Sequence, residues 1–349
     1  MTRFDTKAAR LRTALASCGL ALALLASALP GLVSSALAAE PLTKIRIVSL
    51  NSIPGFLIWA AKELGYYKEE GLDVVSLTFY PNGPASVAAG YAGAWDAAYL
   101  GGPPAINAGS KFGLLVAGIL DWQHSNYKVY VRKNAPTTNL TEYLTGKTAL
   151  TITASNLQFF LDACLRFHKV DPSSVRMVNL TPPNIVTAAN GGQGEIISDW
   201  APFTSTLDET GEYRAICEDN EQVGIETFDA YVIHPKFAKE NPKAAAAFLR
   251  AVYRVNNEVT NNFDAMLKLS QKYFDEIGVK LTPEQIKSGF NVETYPSMDE
   301  SIEMIKSGKI KRAMEASAKF LTSIGAMEKV PDIDFITADY LEAAKTGTK

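Results

Sequence analysis

The strongest constraint on this chain is the way short β-branched runs alternate with helical stretches. Residues 44–50 (KIRIVSL) alternate and are β-branched, which predicts a strand. A turn at residues 51–55 leads into an apolar helical stretch, 56–64, stopped near Gly65. Residues 72–79 read as a second strand, and Asn82-Gly83 turns into a small-residue helix opened by Pro84. Residues 97–100 form a short buried strand, broken by Gly101-Gly102-Pro103-Pro104 before another helical turn. Residues 114–119 are strand-like again and end at Asp121-Trp122. A second set begins after 127–131, with a strand at 148–153, then Ser155 as N-cap of a helix over 156–167. Further strands follow at 175–180, 195–198 and 228–233, with Pro182-Pro183 in the first turn of a helix. From Pro235 the chain is mostly helical, at 242–261, 264–276, 283–288 and 310–324. This alternation predicts an α/β fold of parallel strands with crossover helices, arranged as two lobes plus a helical tail.

Two lobes leave a cleft, and strand-to-helix turns on its faces aim helix N-termini inward. Such termini carry unpaired N–H groups and the positive end of the helix dipole. The turns 51–55, 101–104 and 154–156 are the candidates, and they suit a small anionic group.

The first 38 residues have a different character. Arg3, Lys7, Arg10 and Arg12 stand against Asp5, followed by an uncharged apolar run over 13–29 and a small-residue stretch holding Ala36-Leu37-Ala38. This is the order of a secretory signal, cleaved after about Ala38. The apolar run is short for a membrane anchor, and no later segment reaches about 18 consecutive apolar residues. Removing four of the 34 basic residues and one of the 37 acidic ones takes the formal charge from −3 to −6. Such a balance gives no basic footprint for nucleic acid. Of the three cysteines, Cys164 and Cys217 remain. Export permits a disulfide between them, and two buried thiols fit the spacing equally.

The sequence has no P-loop, dinucleotide fingerprint or nucleophile elbow. His124, His168 and His234 are scattered, and no metal or cofactor set emerges. Aromatic and acidic residues do gather at strand ends, with Asp121-Trp122, Asp199-Trp200 and Asp229 inside an apolar strand. A buried aspartate needs a partner, which a ligand ammonium, a protein cation or a capping role would supply. The tryptophans serve either as core packing or as walls for a cation.

The stretch 178–184 (VNLTPPN), Gly194-Glu195-Ile196, Trp200-Ala201-Pro202, Glu221 to Gly224, Thr227-Phe228-Asp229 and 237–242 (FAKENP) resemble the taurine-binding proteins of ABC importers. The wider similarity, over about residues 44–345, is to the sulfonate, nitrate and taurine binding-protein superfamily. It implies a type II periplasmic binding fold, with 44–128 plus 226–349 in one lobe, 129–225 in the other, and a hinge between them. It also implies an exported, periplasmic, monomeric, non-enzymatic protein that hands a small-molecule ligand to a membrane permease with a separate ATPase. By the same resemblance Asp229 faces a ligand amine, Trp200 is a cleft tryptophan, and Ser155 helps to hold a sulfonate. Where the family has a Ser-Ser-Pro turn this chain has Gly102-Pro103-Pro104. Where it has Thr-Thr-His there is Asn156-Leu157-Gln158, and tyrosine and glutamine of the first loop give way to Leu50-Asn51-Ser52. Asn51, Ser52 and backbone groups then have to replace lost donors, or the ligand differs from taurine. The expected ligand-binding set is Asn51, Ser52, Gly102, Trp122, Ser155, Asn156, Trp200 and Asp229. An alternative is another ligand (an alkanesulfonate, nitrate, or an aromatic or pyrimidine amine). An enzyme of the pyrimidine-precursor type shares the fold, but its cysteine-rich motif has no counterpart here.

Overall fold

The computed structural model describes residues 41–347, so the expected export segment lies outside the described residues. No helix among the described residues is long and apolar enough to cross a membrane.

Two sheets organise the chain. Strands β1 (Thr43–Leu50), β2 (Leu72–Tyr80), β3 (Ala97–Gly101), β4 (Leu115–Gln123), β10 (Thr227–Ile233) and β11 (Glu293–Thr294) form the first, in the order β11-β4-β10-β3-β1-β2. Strands β5 (Tyr127–Arg132), β6 (Thr148–Thr151), β7 (Arg176–Asn179), β8 (Ile196–Trp200) and β9 (Tyr213–Cys217) form the second, in the order β7-β6-β8-β5-β9. The helices of eight residues or more are α1 (Ile53–Glu63), α2 (Gly83–Tyr91), α3 (Gly102–Phe112), α4 (Asn156–Phe167), α5 (Pro182–Asn190), α6 (Phe203–Thr210), α7 (Pro242–Asn261), α8 (Phe263–Glu276), α9 (Pro283–Asn291), α10 (Met298–Lys306) and α11 (Lys309–Ser323). Each sheet with its helices is a lobe.

The sheets are mixed rather than wholly parallel. β1 runs parallel to β2 and β3, and β6 to β7 and β8. By contrast β10 is antiparallel to β3 and β4, and β5 to β8 and β9. The cause is the crossover. β5 and β10 are the first strands after the chain passes from one sheet to the other. They enter beside the cleft and run away from it, while β1, β3, β4 and β8 run towards it. The short strands β9 and β11 carry little alternation, and the sequence alone did not mark them.

Helix starts follow local chemistry. The Ser52 hydroxyl accepts the Gly55 N–H, so α1 begins at Ile53, earlier than apolar pattern suggested. The Gly102-Pro103-Pro104 run opens α3 instead of breaking the chain, because proline suits a helix's first turn. α7 buries Ala244, Phe248, Leu249, Val252 and Tyr253 on one face, at helical spacing. From that face the Tyr253 hydroxyl donates to the Ile119 carbonyl and the Asn256 amide to Leu120, at 2.8 and 2.9 Å. These bonds satisfy β4 where its pairing with β10 slips register. Cys164 and Cys217 are bonded, with Cα atoms 6.0 Å apart, which ties α4 to β9 and decides between the two states the spacing allowed.

Candidate ligand-binding site

The two lobes meet around a cavity of about 40 Å³. Strand ends and helix starts form its wall. Leu50, Tyr99, Gly101, Gln123 and Asp229 come from the first sheet, Tyr127 and Trp200 from the second, Ser52, Gly83 and Pro104 from helix starts. Asn126 of the crossover and the first turn of α4, Ser155 and Asn156, close it. Contacts across the lobes surround it. Asn156 Nδ2 lies 3.3 Å from Asp229 Oδ1 and 3.3 Å from the Phe228 carbonyl oxygen. Further out, Gln285 Nε2 donates to Glu209 at 2.8 Å, and the Phe159 and Phe320 rings lie 5.1 Å apart.

The polar groups divide by role. Asp229 is 8% exposed and no lysine, arginine or histidine pairs with it among the described residues. Burial raises its carboxyl to about 7, with Gln123 pulling the other way. Asn126 Oδ1, another acceptor, is buried without a partner among the described residues. On the opposite wall Trp200 Nε1 is a buried donor without an acceptor among the described residues. The Ser155 hydroxyl accepts the Leu157 N–H at 3.2 Å and donates to the Ile152 carbonyl at 2.7 Å. Ser155 therefore fixes the α4 start, and the helix terminus itself faces the cavity. The Ser52 hydroxyl is likewise occupied, by Gly55 and by the Tyr99 hydroxyl. The arrangement can hold a small solute that offers a cation to one wall and hydrogen-bond acceptors to the other.

Of the expected set, Ser52, Ser155, Asn156, Trp200 and Asp229 come together here. Asn51, Gly102 and Trp122 do not line the cavity. Side chains alternate along β4, so Asp121 and Gln123 share one face and Trp122 takes the other. There Trp122 stacks on Phe228 at 5.9 Å, with Lys309 Nζ 3.7 Å from its ring. Gly102 starts α3, where a Cβ would meet Ser317 Oγ at 3.3 Å, and Gly101 takes the wall position. Asn51 sits between two lining residues with its Oδ1 buried and unpartnered. Gln123, Asn126, Tyr127 and Tyr99 were missed. Period-two counting from Asp121 would have found Gln123. Asn126 lies in a crossover with no periodicity to read.

The fold is that of the periplasmic binding proteins. The aliphatic sulphonate binding protein SsuA of Escherichia coli superposes with a TM-score of 0.67 and 17% identity, over 84% of this chain and 91% of that one. The nitrate-binding protein NrtA of Synechocystis PCC 6803 gives 0.69 and 15%, over 88% and 89%. Residues 55–265 match the NMT1/THI5-like family, and the chain belongs to it. The taurine-binding periplasmic protein of Escherichia coli K12 is 27% identical over 193 residues. The match covers 55% of this chain and only 59% of that relative's length.

Proposed function

We propose that this protein is the exported solute-binding component of an ABC importer and captures a small amine-bearing organosulfonate of the taurine type between its lobes. The observation that carries the reading is Asp229, a buried carboxyl that pairs with no cation among the described residues, in the wall of the cavity between the lobes. A ligand ammonium would satisfy Asp229 and Asn126 Oδ1. The sulfonate would take the Trp200 indole N–H and the start of α4. Each buried polar group left unpaired costs on the order of 1–3 kcal/mol, so a ligand with both ends fits best. Trp200 Nε1 would replace hydroxyls that the Gly102-Pro103-Pro104 turn lacks. An amine-free anion such as nitrate would leave Asp229 unmatched. The relatives named for taurine and aliphatic sulphonates support this ligand class. In this reading the closed protein docks on a membrane permease driven by a separate ATPase, and acts in the periplasm without catalysis.

A calorimetric and thermal-shift screen of refolded, ligand-free protein tests it. Taurine, alkanesulfonates, nitrate, amino acids and pyrimidines would be compared. Tight binding of taurine or a close aminosulfonate is expected. Preference for an amine-free anion or a pyrimidine would overturn the ligand assignment, and no binder at all would leave only the fold.

A further inference from the structure

Behind the cavity lies a feature that an amine site of one carboxylate does not require. Neighbouring strands β11, β4 and β10 place Glu293, Asp121 and Asp229 on one face of the first sheet. Asp229 pairs in register with Asp121, and Glu293 with Gln123, two residues further along β4. Asp121 is fully buried, and Asp229 and Glu293 are each 8% exposed. Asp121 Oδ1 accepts the Asp229 backbone N–H at 3.1 Å, and Glu293 Oε2 accepts the Tyr295 hydroxyl at 2.8 Å. Asp121 Oδ2 and Glu293 Oε1 have no hydrogen-bond partner among the described residues.

Among the described residues, the groups that face the three acids are polar but bring no positive charge. They are Tyr99 from β3, Gln123 from β4, Tyr127 from β5, Asn156 from α4, Tyr231 on β10 itself, and Tyr295 after β11. Among the described residues no lysine, arginine or histidine forms an ion pair with Asp121, Asp229 or Glu293. Lys309 lies over Trp122, on the opposite face of the sheet.

Three buried anions without a cation are prohibitively costly, so such groups hold protons instead. Burial raises all three carboxyls; the Glu293 charge and then the Asp229 charge further raise Asp121, and the Asp229 charge further raises Glu293. Asp229 is the one of the three that lines the cavity.

We propose that Asp121, Asp229 and Glu293 act as one proton store beneath the ligand site, and that capture of a ligand ammonium is an exchange of that cation for a proton. The exchange balances in charge: the ammonium enters with its own protons, the Asp229 carboxyl ionises against it, and one proton leaves to solvent. Asp121 and Glu293 stay protonated behind it, because a second negative charge there would have no counterion. The inference rests on Asp229 as the amine's partner, and it adds a pH dependence that a permanently ionised aspartate would not give. Below about pH 7 affinity for an amine ligand falls by up to about tenfold per pH unit, and above it the affinity levels off.

Titration calorimetry of the full mature chain with taurine, in buffers of different ionisation enthalpy, measures the protons exchanged. Release approaching one proton per taurine is expected near pH 5.5 and almost none near pH 8.5, with none for ethanesulfonate at either. Taurine binding without proton release near pH 5.5 would overturn the store while leaving the ligand reading intact. Infrared spectra of the ligand-free protein test the store without any ligand. A protonated-carboxyl band that weakens in both Asp121→Asn and Asp229→Asn is expected beside the contribution of buried Asp199, and a band left unchanged by both substitutions near pH 5.5 overturns the proposal. If taurine does not bind, the ligand reading fails and the infrared result alone decides the store. If Asp121→Asn does not fold, the wild-type measurements carry the test.

Discussion

The Asn156 amide at the start of α4 lies 3.3 Å from the Asp229 carboxylate of the opposite lobe, and donates to it across the cavity edge. The same nitrogen lies 3.3 Å from the Phe228 carbonyl oxygen and 3.4 Å from Gln123 Oε1. One short side chain thus joins the second lobe to β4 and β10 of the first. Asn156→Ala removes these links and leaves Ser155 to cap α4. A net loss of about 1–2 kcal/mol in the closed arrangement is expected, weakening ligand roughly 5- to 30-fold. Calorimetry gives the affinity, and a larger radius of gyration for the liganded variant would show that closure is what suffers. Unchanged affinity would remove Asn156 from the clasp.

Asp229 gives the sharpest test of ligand chemistry. Truncating one member of a buried charge pair costs about 2–5 kcal/mol, largely because the other charge is stranded. Asp229→Ala should therefore weaken taurine by roughly 30-fold or more and ethanesulfonate by far less. Equal weakening of both would show that Asp229 serves the protein rather than the ligand.

Much of this site was legible from residue patterns. Ser155 as an N-cap and the extent of α4 follow from residues 154–167 alone, because capping and helical periodicity are local. Asp229 stands out for a local reason too, as an acid inside an apolar strand. Long-range pairing was not legible. That Asp121 lies opposite Asp229, with Glu293 one strand further out, depends on the crossover that inserts β10 between β3 and β4. Trp122 adjoins Asp121 in sequence, but their side chains do not share a face of β4, because adjacent strand residues face opposite ways. The disulfide shows the same limit, since spacing cannot say whether two cysteines meet.

Asp199, on β8, is fully buried away from the cavity wall. One oxygen accepts the Trp200 N–H at 2.9 Å and the other has no partner among the described residues. Its register neighbour Lys128 turns to Asp208 instead, at 2.9 Å. Burial raises the Asp199 carboxyl well above its usual range, against the pull of that N–H. A folded-state value above the unfolded one means the native state holds the proton more tightly. The stabilisation is full below about pH 4 and drains away as pH rises towards the folded value. Asp199→Asn, which cannot ionise, should gain in melting temperature relative to wild type as pH goes from about 4 to about 8. A difference that stays flat across that range would show that Asp199 does not titrate in the fold.

The Cys164–Cys217 bond closes a loop with a sequence separation of 53 residues and pins α4 beside β9. In the chain-entropy view a loop of that size contributes between about 3 and about 5 kcal/mol through the unfolded state. The paired substitution Cys164→Ala with Cys217→Ala should lower the melting temperature by on the order of 5–15 °C. Reducing agent should do the same to wild type and nothing further to the variant. Ligand affinity below the melting range should change little, because the cysteines lie away from the cavity wall. A large loss of affinity at low temperature would instead show that the bond sets the position of the α4 start.

Gly101 separates clasp from fold most cleanly. Its backbone, φ −66° and ψ 165°, is one any residue adopts, so alanine there brings no conformational strain. A Cβ would instead stand 2.7 Å from Asn156 Nδ2 and 3.0 Å from its Cγ. Asn156 is buried and its chain is short, so the contact is relieved by moving the start of α4 away from the first lobe. Gly101→Ala should therefore cost ligand affinity about tenfold while the melting temperature of ligand-free protein moves by only about a degree or two. The double variant with Asn156→Ala decides the cause. With the amide gone, the three atoms nearest a methyl at 101 are gone with it, and the two losses should fall well short of adding. Full additivity would mean that the methyl acts on the cavity itself rather than through Asn156.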